Sequence, residues 1–197
     1  MIWTISNRGD PRAVKIADRH YNRQKIGSPQ FVPPGRCLVF RVSESALWVT
    51  SWPLAEYVKH AWAGAWVNSL FRNEKREIRS SDMITQAVAA TRSIWAPPPS
   101  GIVTFVDPKC VPGVVVRGKR IFGYCYQKAG WHHVGFTKSG LWAWQQLPDE
   151  MPDPALPLVK QLRFDLEPPA TIAATSADIQ VRRAVQCVAS GSGADCK

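Results

Sequence analysis

The chain has 197 residues, 45% of them hydrophobic and 20% charged, enough to bury a sizeable core in one domain and too apolar for a disordered chain. Lysine and arginine outnumber aspartate and glutamate by 25 to 15, a formal charge of +10. That balance favours polyanionic partners, because each cation docked on a phosphate releases a condensed counterion. The five cysteines, Cys37, Cys110, Cys125, Cys187 and Cys196, form no CxxC pair, which argues against a disulfide framework and against a zinc knuckle and suits a reducing cytoplasm.

Residues 2–6 read as a short strand without a basic segment or an apolar signal core, and no apolar stretch approaches membrane-spanning length, so the expectation is a cytoplasmic protein with no membrane partner. Asp10-Pro11 then reads as an N-cap followed by proline at the first helical position, opening a helix through Ala13, Ile16, Ala17 and Tyr21. Prolines and glycines punctuate residues 27–35, which predicts an ordered loop or lid. The apolar runs 37–42 and 46–52 flank Ser43-Glu44-Ser45 as a hairpin, and the alternation over 66–72 predicts a further strand. Ser80-Ser81-Asp82 caps a helix whose Ile84, Ala87, Val88, Thr91 and Trp95 share one face, and Pro97-Pro98-Pro99 ends it. Residues 101–107 are apolar enough for a strand buried in mid-sheet. A basic loop, Arg117-Gly118-Lys119-Arg120, precedes a short helix over 122–129 that stops at Gly130, and 131–136 with 141–147 form a last hairpin. Beyond Pro148 the composition shifts to Pro, Ala, Ser and Thr. Residues 1–165 are therefore expected to form the domain and 166–197 a largely flexible tail, with a short helix around 176–189.

The expected fold class is a single α/β (α+β) domain with a mixed, mostly antiparallel sheet flanked by helices. The order of strand, helix, three strands, helix, strand, helix and two strands resembles the GNAT acetyltransferase fold. Within it, Gly123-Tyr124-Cys125-Tyr126-Gln127-Lys128-Ala129-Gly130-Trp131 is similar to the family's late helix. A more specific resemblance is to the phage Mom-like DNA-modification proteins. It rests on Asp18-Arg19-His20-Tyr21, Phe71-Arg72-Asn73-Glu74, Ser80-Ser81, Val106-Asp107 and the segment from Tyr124 to Trp131, and it covers about residues 10–147. The resemblance implies a transferase that adds a carbamoylmethyl-type group to N6 of adenine in duplex DNA, protecting it from restriction. Two alternatives stay open: an N-acetyltransferase using acetyl-CoA on a small molecule or protein, and a non-catalytic DNA-binding protein.

In this fold the strands around Arg72 and Asp107 splay to make the ligand slot, with His20 and Tyr21 approaching from the first helix. Arg72 can grip a carboxylate or phosphate through its planar fork, and Glu74 can pair with it or with a neighbouring lysine. Ser80 and Ser81, with Arg72, can hold an anionic group donor at the helix N-terminus. Between Gly64 and Gly101 there is no glycine, so the close-approach residues of a coenzyme A phosphate loop are missing and acetyl-CoA is disfavoured. His20, Tyr21 and Asp107 carry donor atoms competent for iron. The alternative is a histidine capping or packing at a helix end and a turn aspartate before Pro108. Tyr124 and Tyr126 occupy the helix where GNATs place a general acid, which a phenol near its ordinary pKa of about 10 can be; only one can face the slot, and Tyr126 lies closer to the family's aromatic. The catalytic candidates are thus Tyr21, Arg72, Ser81, Asp107 and Tyr126.

For DNA, Arg12, Lys15, Arg19, Arg23 and Lys25 form one basic strip and Lys109, Arg117, Lys119 and Arg120 a second. Chemistry on N6 in a duplex requires base flipping, and Phe31, Trp52, Tyr57, Trp62 or Trp66 can stack on the extruded base or belong to the core. His132 and His133 fall on opposite faces of a strand and cannot chelate together. The sequence leaves room for a homodimer.

Overall fold

The computed structural model describes residues 1–158 except 33, 34, 55, 57 and 59. The expected tail at 166–197, its helix around 176–189 and Tyr57 lie outside the described residues. The elements run β1 (Thr4–Ser6), α1 (Pro11–Asp18), β2 (Arg36–Val42), β3 (Ala46–Trp52), β4 (Trp66–Asn73), α2 (Ser80–Arg92), β5 (Ile102–Val106), β6 (Val114–Val116), β7 (Lys119–Ile121), α3 (Tyr124–Lys128), β8 (His132–Phe136) and β9 (Trp142–Gln146). Seven strands form one sheet in the order β1-β2-β3-β4-β5-β9-β8, and β6 with β7 form a separate two-stranded sheet. Every paired neighbour is antiparallel except β4 and β5, which run parallel in mid-sheet. The expected α+β class holds.

The two faces of the sheet are covered by different helices because each helix offers a single apolar stripe. Met83, Ile84, Ala87 and Val88 of α2 pack with Trp3, Trp48, Trp66, Ile102 and Trp144, whereas Ala13, Ile16 and Ala17 of α1 pack with Val39, Leu47, Val49 and Leu70. The tryptophan excess is mainly core: Trp3, Trp48, Trp66, Trp131 and Trp144 are among the largest fully buried side chains. Trp66 is therefore not a base-stacking surface. Partly buried Trp52 and Trp95 close around it, with ring centroids 6.1 and 6.0 Å away. Among the described residues, no helix is long and apolar enough to cross a membrane.

Three local expectations are corrected. The first helix stops at Asp18, short of Tyr21. The Asp18 carboxylate takes the Arg23 guanidinium at 2.7 Å and the Gly27 N–H at 3.0 Å, so the chain folds back after one further residue at the C-cap. The second helix begins at Ser80 behind Arg79, without a side-chain cap, because the Ser80 hydroxyl already accepts from Asn73 Nδ2 at 3.1 Å. The basic loop at 117–120 is the tip and outgoing strand of the β6–β7 hairpin. Arg117 and Gly118, at φ 49° and 75°, are both in the left-handed region, as a two-residue type I′ turn demands.

Candidate active site

The site originates in a defect of β4. Val49 pairs with Leu70 and Thr50 with Asn68, so Ser69 is an extra residue, and a bulge of this kind bends its strand. On its other side β4 pairs with β5 only from Trp66↔Ile102 to Asn68↔Thr104. Beyond that point the parallel strands part. The gap is a cleft with about 130 Å³ of solvent-accessible room, lined by His20, Tyr21 and Asn22 after α1, by Asn68–Phe71 of β4, by Thr104–Val106 of β5, and by Val111, Gly123, Cys125 and Tyr126.

Its floor is a buried hydrogen-bond network centred on Asn68. The Tyr126 hydroxyl donates to Asn68 Oδ1 at 2.7 Å, and the Thr104 hydroxyl donates to the Asn68 carbonyl at 3.0 Å. Asn68 Nδ2 donates to the carbonyls of Val49 and Leu70, both at 3.1 Å. One side chain thereby ties β3, β4 and α3 together at the point where β4 leaves β5. Burial pushes the Tyr126 phenol well above its ordinary pKa. The phenol is neutral and donates its one proton to Asn68 Oδ1, so it does not titrate near its ordinary value as expected.

At the mouth, the rings of His20 and Tyr21 stack with centroids 4.4 Å apart. His20 Nδ1 lies against the Asn22 amide oxygen and 3.3 Å from the Asn22 N–H. The same nitrogen can therefore hold a proton against one group or accept a hydrogen bond from the other. Desolvation lowers the pKa of His20, with the Arg72 cation acting in the same direction, and the neutral ring prevails near pH 7. Desolvation also raises Tyr21, partly offset by a hydrogen bond from the Asp107 backbone.

Arg72 does not line the cleft. Its guanidinium donates to Glu74 and to the Arg19 carbonyl, while Arg19 donates two bonds to the same carboxylate, at 2.8 and 2.7 Å. The fork expected to grip a ligand instead braces α1 against the end of β4. Hydrogen bonds from Arg19 first, then Arg72, bring the Glu74 carboxyl down to about 2. A carboxyl depressed from 4.5 contributes its stabilisation fully above pH 4.5 and loses it as pH falls through about 2. Half-exposed arginines screen the pair, so about 1 kcal/mol is expected. Thermal melts at pH 7 and pH 3 should show the wild type losing more of its Tm than Glu74→Gln does. Equal losses would mean that the brace is electrostatically idle.

Asp107 is likewise a turn residue: its Oδ1 accepts the Lys109 N–H at 2.8 Å and its Oδ2 lies 3.6 Å from Cys110 Sγ. Its backbone and its carboxylate both act on the Tyr21 phenol, in opposite directions. Among the described residues, no three His, Cys, Asp or Glu side chains converge as metal ligands. Of the three expected iron donors, His20 meets Asn22 through Nδ1, and the Asp107 carboxylate is engaged within its own turn.

Ser80 and Ser81 line a second hollow of about 540 Å³ with Arg79, Tyr124 and Lys128, and it shares Val111, Gly123 and Cys125 with the cleft. Arg79 and Lys128 bring two cations to this otherwise largely apolar groove against the first turn of α2. A third hollow of about 550 Å³, holding Arg23, Lys25 and Phe31, shares Asn22 and Ser69 with the cleft on its other side.

The DNA candidates divide. Arg19 is paired with Glu74, and the buried Arg23 guanidinium donates to Asp18, Gln30 and Ser28, bracing the 27–30 loop. Neither is the free cation expected. Lys25, Lys119 and Arg120 have no ion-pair partner among the described residues. The Trp62 ring lies tilted against Phe105 of the cleft wall, centroids 5.7 Å apart, with His60 beside both. His132 and His133 diverge as expected, toward Glu150 at 2.9 Å and onto Trp142 at 4.4 Å. Sequence reasoning missed Asn68, Thr104 and the Ser69 bulge. The available signal was a polar residue at an inward position of two otherwise apolar strands, Val67-Asn68-Ser69-Leu70 and Val103-Thr104-Phe105. Comparison with protein-family models, curated proteins and solved structures found no match.

Proposed function

We propose that the chain is a GNAT-like transferase that adds a carbamoylmethyl-type group to N6 of adenine in duplex DNA, the activity of the Mom-like proteins it resembles, and so shields DNA from restriction. The observation that carries this reading is the parting of the parallel pair β4 and β5 at the Ser69 bulge, into a slot that shares Val111, Gly123 and Cys125 with a groove bearing Arg79 and Lys128 at the start of α2. The strand order supports the GNAT likeness. With the β6–β7 hairpin set aside as an insertion, the last strand in sequence lies between β5 and the last but one.

In this reading the donor lies along the groove with its anionic part near Arg79, Ser80, Ser81 and Lys128, and its reacting carbon reaches the slot past Gly123. The adenine, flipped out of the duplex, enters from the His20 and Tyr21 side. Its N6 forms the new bond to that carbon, the donor's leaving group departs with the bonding pair, and the amine's surplus proton passes to neutral His20. Tyr21, kept protonated, is a hydrogen-bond donor at the mouth. The Tyr126–Asn68–Thr104 network holds the slot open at fixed width, so that acceptor and donor meet in a defined geometry. The test is chemical: a new adenine-derived nucleoside in the DNA of cells that make the protein.

A further inference from the structure

We propose that the β6–β7 hairpin is a DNA-docking ribbon that enters the major groove beside the base being modified. The inference rests on the DNA-modification reading for its partner, and on four observations for its site.

Charge is the first. Between Asp107 and Asp149 the sequence carries Lys109, Arg117, Lys119, Arg120, Lys128 and Lys138 and not one aspartate or glutamate. Three of these cations sit on the hairpin, where Arg117, Lys119 and Arg120 are all exposed. The second is shape. A two-stranded ribbon with its strands about 4.8 Å apart fits a major groove about 12 Å wide. The third is where the ribbon is rooted. Val111 before it and Gly123 after it both line the cleft, so the tip at Gly118 stands within roughly 17 Å, five extended residues, of Gly123. The fourth is rigidity at the feet. A side chain at Gly113 would meet Arg120 Cγ at 2.5 Å, and one at Gly123 would meet Trp144 Nε1 at 2.8 Å, so both feet are packed tightly. Above them Val115 is 63% exposed and Val114 45%. These are apolar surfaces of the kind that contact thymine methyl groups in the groove. Two valines are too few to anchor the ribbon in a bilayer.

The experiment uses the full chain and a fluorescent 24-base-pair duplex, titrated at several salt concentrations. Arg117→Asn with Lys119→Gln removes two charges at exposed positions, and asparagine tolerates the left-handed backbone that position 117 requires. The wild type should bind with a steep salt dependence. The double variant should bind roughly tenfold more weakly at 150 mM salt, with a log–log slope smaller by about 2. Dimethyl sulfate should find guanine N7 protected under the wild type and exposed again under the double variant. Equal affinity and slope for the two proteins would overturn the ribbon while leaving DNA modification, which nucleoside analysis reads separately. Unprotected N7 would overturn groove entry. Absence of duplex binding, with binding to anionic phospholipid vesicles, would overturn the choice of partner.

Discussion

Asn68→Leu is expected to lower the thermal midpoint by about 6 to 12 °C and to abolish DNA modification by the protein that remains folded. Leucine nearly matches asparagine in shape but supplies no partner for the Tyr126 hydroxyl and no donor for the carbonyls of Val49 and Leu70. Leaving buried polar groups unpaired costs about 1 to 3 kcal/mol each, in part recovered by relaxation, so about 3 kcal/mol is a fair total. A domain of this size loses roughly 2 to 4 °C per kcal/mol. Tyr126→Phe breaks a single bond of the network and keeps the ring, so it should cost only about 1 kcal/mol. If Asn68→Leu melted within 2 °C of the wild type, the network would not be what fixes the separation of β4 from β5.

A comparable loss is expected at the other end of the same strand pair. Gly101 precedes β5 at φ 64°, and a Cβ there would stand 2.1 Å from the Gln146 carbonyl oxygen and 3.0 Å from Leu147 Cα. Those are backbone atoms of β9 and its continuation, and they cannot yield without breaking the Ile102↔Gln146 pairing. Left-handed strain and overpacking together make Gly101→Ala cost about 3 to 5 kcal/mol, a fall of roughly 10 °C in Tm. Gly140→Ala is the matched comparison, since it shares a positive φ of 82° but meets nothing within 4 Å. It should cost about 1 kcal/mol. Equal melting of the two variants would show that the crowding at Gly101 is relieved cheaply.

The secondary structure was legible because most elements carry their own period and punctuation. The strand at 46–52 matches its expected bounds, and the helix after Ser80 keeps its buried face at Ile84, Ala87, Val88 and Thr91. What the sequence concealed was set by partners distant along the chain. Tyr21 leaves the helix because Arg23 and Gly27 compete for Asp18. The β6–β7 turn escaped notice because arginine, and not asparagine or aspartate, occupies its first left-handed position.

The site was legible in outline and misread in detail. His20, Tyr21 and Tyr126 do share a cleft, and Ser80 and Ser81 do border a groove that shares Val111, Gly123 and Cys125 with it. Arg72 and Asp107 were singled out for their chemistry, yet one is held by Glu74 and the other by its own turn. A charged residue's type shows what it can do, while its nearest partner decides whether it is free to do it. Asn68 went unnoticed for the converse reason. A single amide in an apolar strand looks like a blemish until the strands on either side, and the helix above, are seen to share it.

The central claim, transfer to adenine in DNA, is tested most directly by mass spectrometry of nucleosides from cells making the wild type or His20→Gln. That substitution lies at the mouth of the slot and removes the proposed proton acceptor while leaving the core untouched. The account predicts a new adenosine-derived mass heavier by the transferred carbamoylmethyl group in wild-type cells, and at least a hundredfold less of it with the variant. Unmodified DNA from cells containing folded wild-type protein, together with tight binding of coenzyme A by that protein, would contradict it and point to N-acetyl transfer in its place.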